Sequence, residues 1–290
     1  MTSRNIKLVL SYDGTDFGGW QRQDNARSVQ EELERALAAM HGHPVHVTGA
    51  GRTDAGVHAM GQAANFYTDI ASIPASRFVP ALNHLLPHDL RVLDSSEVDP
   101  DFHARFDARL RRYRYFILCD HAADPMRLRY SHHVRRIPDI ESLNAMAALL
   151  PGEHDFTTFS SARDPSASRS RYVHEASFRW EGGFLVFQIA ANAFLWRMVR
   201  SLVGSLLAYE AEAASSAPAA GGPAAACPAA PAAAARMSAA LAARDRSLAG
   251  PTAPARALFL WNVEYYARPT RPGSGSRRAG GDAKIVDDPE

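Results

Sequence analysis

A carboxylate and a guanidinium stand two residues apart in a glycine-rich segment, Gly49-Ala50-Gly51-Arg52-Thr53-Asp54-Ala55-Gly56-Val57-His58. Glycine lets a backbone reach positive φ and come close to a ligand. A neighbouring cation favours the charged, nucleophilic form of a carboxylate over the protonated one. Asp54 is therefore a candidate catalytic carboxylate. Arg52 is a candidate for contacting a polyanionic ligand or for ordering the loop. The plainer reading of the same spacing is a tight turn capped by Asp.

The elements around this segment decide where it is held. Ile6–Leu10 reads as a short strand ended by the turn pair Asp13-Gly14. Ser28-Val29-Gln30-Glu31 is a capping box. Val29, Leu33, Ala36, Leu37 and Met40 then recur at helical spacing before Gly42. Strands over 45–48 and 62–67 flank the Asp54 loop, a helix is expected over 74–86, and a strand over 90–93. The order β-α-β-β-α-β is the ferredoxin-like pattern.

The second half repeats that order. It has a strand over 109–119, a helix over 140–150, a hairpin of 172–180 and 184–190 turning at Gly182-Gly183, a helix over 194–209 and a strand over 258–266. The expected fold is α/β (α+β): two ferredoxin-like βαββαβ halves, 1–105 and 106–270, joined into one mixed, largely antiparallel sheet with helices on one face and a central cleft. Residues 211–236, almost entirely Ala, Pro, Gly and Ser, read as a disordered loop, and 271–290 as a polar tail.

Composition narrows the function classes. With 290 residues and 46% hydrophobic content the chain can bury a substantial core. The most hydrophobic stretch, 193–208, is interrupted by Arg197 and Arg200, so no membrane span is expected. The polar residues Met1–Asn5 lead straight into a strand, which is no signal-peptide pattern, and a cytoplasmic location is the expectation. Cys119 and Cys227 are too few for a disulfide framework or a metal knuckle. The net charge of +1 hides an asymmetry. All basic residues but Lys7 and Lys284 are arginine, and 102–136 holds nine arginines against Asp107, Asp120 and Asp124, interleaved with Tyr113, Tyr115 and Phe116. Such a block suits an RNA-facing surface, or else a solvated strand face. Gly14, Gly18 and Gly19 lack the residues of a dinucleotide or phosphate loop, and His41, His43 and His46 form only a weak metal candidate, since they straddle a helix end and a strand start.

Five ordered segments carry a resemblance. They are Tyr12-Asp13-Gly14 with Gly19-Trp20-Gln21-Arg22-Gln23, Gly51–Ala59, Asp101–Phe106, Arg112-Tyr113-Arg114-Tyr115, and Asn192-Ala193-Phe194-Leu195 with Met198-Val199-Arg200. Together they resemble the tRNA pseudouridine synthase A family over roughly residues 6 to 266, apart from the 211–236 insert. The resemblance implies isomerisation of uridine to pseudouridine at positions 38–40 of the tRNA anticodon stem-loop, by a homodimer with tRNA lying across both subunits and without metal or other cofactor. It implies Asp54 as the essential carboxylate, acting as nucleophile on C1′ or as base at C2′. It makes Arg200 the ion-pair partner of Asp54 and Tyr113 the tyrosine that contacts substrate. An Ala at position 257, where the family usually has Gly, is a departure. A flipped-out base gains ~1–3 kcal/mol from each aromatic ring on which it stacks.

Two other classes compete for the same residues. A non-catalytic RNA binder has no use for an anionic side chain beside phosphate. A glycosidase or nucleoside hydrolase using Asp54 lacks an evident second carboxylate in the segment.

Overall fold

In Arg4–Tyr12 the side chains of Ile6, Leu8, Leu10 and Tyr12 are buried at every second position, which makes a strand with one core face. The computed structural model describes residues 3–120, 122, 124–216 and 229–265. In chain order the elements are β1 (Arg4–Tyr12), α1 (Val29–His41), β2 (Val47–Gly49), β3 (His58–Thr68), α2 (Phe78–Leu85), β4 (Leu90–Val98), β5 (Ala108–Cys119), α3 (Pro125–Leu128), β6 (His132–Val134), α4 (Ile140–Ala147), β7 (Gly152–Asp155), β8 (Ser170–Glu181), β9 (Phe184–Ala191), α5 (Met198–Ser216), α6 (Ala229–Ala243) and β10 (Leu258–Tyr265). Three-residue 3-10 turns precede α2 and β10.

The ten strands form one mostly antiparallel sheet in the order β4-β1-β3-β10-β5-β9-β8-β7, with β2 on β3 and β6 on β5. Each half therefore keeps the ferredoxin-like order: β4-β1-β3-β2 in the first and β10-β5-β9-β8 in the second. The seam is β10. Its start runs parallel to the first residues of β3, pairing Phe259 with His58 and Leu260 with Ala59, while its length pairs antiparallel with β5. The far end of β3 pairs instead with β2, through Ala64–Phe66. One strand thus leaves β3 where the other joins it, and the 50–57 loop lies at that fork.

Local chemistry explains the boundaries. Ser28 caps α1 by accepting from the Glu31 amide, and Gly42 ends it in the left-handed conformation at φ 73. Gly182 and Gly183, at φ 58 and 80, close the β8–β9 hairpin with positive φ at both central positions. One core joins helix residues such as Leu33, Leu37, Met198 and Leu202 to the strand residues Leu8, Phe66, Tyr115 and Phe187. Among the described residues no helix is long and apolar enough to cross a membrane.

Several expectations need correction. The helix expected from Phe194 begins at Met198, because Arg197 sits at φ 62, a conformation outside the right-handed helix. The disordered loop expected over 211–236 is wrong at both ends. Residues 211–216 continue α5 and 229–236 open α6; only 217–228 lie outside the described residues. Alanine is the strongest helix former, and Ala229, Ala233, Met237 and Ala240 bury one face of α6 against α4 and α5. The short strands β6 and β7 had no sequence signal. The 271–290 tail lies outside the described residues.

The arginines of 102–136 do not stand as one free positive surface. Arg112 lies 2.9 Å from Glu175 and 2.7 Å from Glu264, Arg114 3.1 Å from Glu181 and Arg129 2.9 Å from Asp13, while Arg136 pairs with Glu210. Arg111 is buried and donates only to backbone carbonyls. Acids distant in sequence offset a charge excess that looked local.

Candidate active site

The Asp54 loop is shaped by its backbone before any side chain acts. It is laid against the 14–20 segment by Trp20 N–H donating to Thr53 O (3.0 Å) and Gly56 N–H to Phe17 O (3.3 Å). That approach leaves no room for side chains. A Cβ on Gly19, whose φ is +107, would lie 2.6 Å from the Thr53 carbonyl oxygen, and one on Gly14 2.0 Å from that of Val57. These glycines brace the loop, which accounts for a cluster that superficially resembles a phosphate loop. Gln62 Nε2 donates to Gly51 O (2.8 Å), Arg111 to Ala50 O (2.9 Å), and the hydroxyls of Tyr12 and Thr53 share a hydrogen bond of 2.9 Å. Burial pushes the Tyr12 phenol up to about 12, so it stays protonated.

Asp54 is brought to Arg200, and both carboxylate oxygens are engaged. Arg200 Nη1 donates to Oδ2 at 2.9 Å, and the indole Nε1 of Trp196 donates to Oδ1 at 2.9 Å. The guanidinium is itself held: its Nε donates to Ala253 O (2.8 Å), while Ala253 N–H donates back to Arg200 O (3.1 Å). The ion pair is only partly open to solvent, with 15% of the Arg200 side chain and 21% of Asp54 exposed. Such a pair is less screened than one on the surface. Arg52 is exposed, and no hydrogen bond or ion pair of its side chain is found among the described residues. The cation beside Asp54 is therefore the distant Arg200 and not its neighbour in sequence.

Tyr113 is buried on β5, its ring edge-to-face with Phe194 at 5.0 Å between centroids. Burial, with the nearby negative charge of Asp54 adding to it, holds its phenol above the ordinary tyrosine range. Tyr113 is thus a protonated hydroxyl within electrostatic reach of Asp54. Tyr115 is fully buried and donates to Pro254 O (3.0 Å), a core role. The loop before β3, strand β5, helix α5 and the segment before β10 therefore supply one site from both halves of the sheet.

The remaining sequence candidates separate from this site. His41 bonds Leu37 O and Thr68, His43 faces Asp69 and His46 faces Glu34, so the three imidazoles do not share a centre. Among the described residues no group of three or more His, Cys, Asp or Glu side chains could hold a metal ion. Burial pushes the Cys119 thiol up to about 11, away from the reactive thiolate, and Cys227 lies outside the described residues.

Sequence reasoning missed Trp196, Ala253 and the loop that carries Asp164. Trp196 lies outside α5, and Arg197 at φ 62 breaks the helical conformation between it and Arg200, so helical spacing gave no signal for it. Ala253 acts through its backbone and had none.

His58, which closes the loop, is buried. Its Nδ1 accepts from the Gly14 amide (2.9 Å), so its Nε2 carries the proton it shares with Arg256 O (3.0 Å). Burial lowers its pKa, against the attraction of Asp13 and with the repulsion of Arg129. The unfolded chain therefore binds a proton that the native imidazole resists. This contribution to stability is full above the ordinary histidine value of about 6.5 and is lost as pH falls below it. The urea midpoint of the wild type is expected to drop between pH 7.5 and 5.5, and that of His58→Gln to drop less. His132, also lowered by burial, keeps its share of the slope in both proteins. Parallel slopes would exclude His58 as a source.

A family model described as tRNA pseudouridine synthase matches residues 8–107 and 146–266. The chain is 48% identical over 267 residues to the tRNA pseudouridine synthase A of Treponema denticola, covering 90% of this chain and 93% of that protein. It is 42% identical to the Moorella thermoacetica protein of that name (90% and 99% covered) and 38% identical to the one from Acetivibrio thermocellus (90% and 100%).

Proposed function

Since the chain belongs to the tRNA pseudouridine synthase family of isomerases, we propose that it isomerises uridine to pseudouridine at positions 38–40 of the tRNA anticodon stem-loop, with Asp54 acting on the ribose. The observation that carries the reading is the partly buried Asp54 carboxylate, held by Arg200 on one oxygen and Trp196 on the other. The reaction breaks the bond from C1′ to N1 of uracil and makes one from C1′ to C5, so every atom is conserved: the proton lost from C5 balances the one gained at N1. A single anionic group at C1′ or C2′ suffices to start it.

Arg200 sets a positive charge 2.9 Å from that group where water is partly excluded. In this reading Tyr113, buried on β5 within electrostatic reach of Asp54, is the tyrosine that meets the extruded uridine, and its protonated hydroxyl adds no second negative charge. Arg52, exposed on the same loop, is free to meet an RNA phosphate or the displaced base. The reading includes a cytoplasmic homodimer as the form that binds tRNA, and no cofactor.

Incubation of the protein with unmodified tRNA transcripts, followed by chemical mapping of pseudouridine, tests the proposal. Modification confined to positions 38–40 is the expected result. Modification elsewhere refutes the assigned position, binding without modification refutes catalysis, and release of free uracil marks a hydrolase.

A further inference from the structure

Within the reading above, we propose that Trp196 is a positioning residue for Asp54: its indole N–H fixes the second carboxylate oxygen, so that Trp196 and Arg200 together set the direction in which the carboxylate meets the ribose. Each donor occupies one lone pair of a different oxygen, at 2.9 Å in both cases. Each oxygen keeps another lone pair for the substrate.

The surroundings of Trp196 hold its backbone, and one cation lies over its ring. Both polar groups of its backbone are clasped by one loop: Ser161 N–H donates to Trp196 O (3.0 Å), and Trp196 N–H donates to the carboxylate of Asp164. Asp164 is buried. Burial alone would raise its pKa, but hydrogen bonds from Trp196 N–H and Ser166 hold it below the usual carboxylate value, so it remains an acceptor. The next residue, Arg197, takes φ 62, a left-handed conformation that costs a non-glycine residue free energy and persists only where its surroundings enforce it. Its guanidinium lies over the Trp196 ring at 5.3 Å.

The ring is not a core filler, because 39% of Trp196 is exposed. What a tryptophan offers here that a phenylalanine does not is the N–H, and a donor to an ionised acceptor makes one of the stronger hydrogen bonds.

Trp196→Phe keeps the ring and removes that donor. Its kcat is expected to fall about tenfold, with KM for tRNA unchanged and thermal stability retained. A merely structural role would show as lost thermal stability or a raised KM, and not as a lower kcat alone. An unchanged kcat, or a raised KM with unchanged kcat, overturns the inference.

A second measurement does not depend on that variant folding. In 15N-labelled wild type and Asp54→Asn, the assigned indole N–H resonance of Trp196 is expected to shift when its acceptor loses its charge. An unmoved resonance overturns the contact. Activity retained by Asp54→Asn sinks the parent reading instead, whereas an inactive Asp54→Asn beside an unaffected Trp196→Phe sinks this inference alone.

Discussion

Asp54→Asn is expected to lower single-turnover pseudouridine formation on the order of 10⁴-fold or more, with tRNA affinity kept or slightly improved. The amide matches the carboxylate in size, and its oxygen can still accept from Arg200, so the loop keeps its anchor. What disappears is the negative charge, and with it the capacity either to attack C1′ or to take a proton from C2′. Binding responds in the opposite direction, because a carboxylate near RNA phosphates repels them. Quenched-flow assays with enzyme in excess, alongside filter-binding titrations at fixed salt, separate the two effects. Wild-type-like turnover by the amide variant would remove Asp54 from the chemistry, and a parallel loss of binding and rate would turn it into a structural residue of the loop.

Arg200→Ala ranks second. Loss of one preorganised charge partner typically lowers kcat by about 10²–10³-fold. The variant also deprives the Ala253 carbonyl of the Arg200 Nε–H, a loss of about 1 kcal/mol of stability. The fold should survive that, because the 15% exposed guanidinium is anchored at a rim and not in the apolar core. Arg200→Lys separates charge from geometry. One ammonium cannot reach both Ala253 O and Asp54 along the directions a guanidinium spans, so an intermediate rate is expected. If lysine restores the full rate, charge alone suffices and the forked geometry is irrelevant. Should alanine turn over normally, the ion pair has no part in the reaction.

The fold was legible where local chemistry and tertiary packing agreed. The Ser28 capping box and the Gly182-Gly183 turn each predicted an element that the structure contains, because each satisfies its own backbone groups within a few residues. The failures share one cause. Helix α6 is built from residues whose composition suggests a loop, and only contact with α4 and α5 makes its alanine face worth burying. Strands β6 and β7 exist because an edge was already there to pair with.

At the site, Asp54, Arg200 and Tyr113 were named from residue type and family pattern. The structure adds how they meet: an arginine 146 residues away, and not the arginine two positions off, supplies the cation. A pairing across that separation was legible only through the resemblance, and a carbonyl such as that of Ala253 doing the anchoring was not legible at all.

The seam strand β10 gives the molecule an assembly order. A ribosome delivers Asp54, Tyr113, Trp196 and Arg200 before it delivers Leu258–Tyr265, the segment lodged between β3 and β5. A nascent chain can therefore hold both halves nearly complete while the two sheets remain unjoined, with these four side chains present but not yet fixed against one another. Long-range closure of this kind is slow compared with helix formation, so the insertion of β10 is a late docking event at the centre of the sheet.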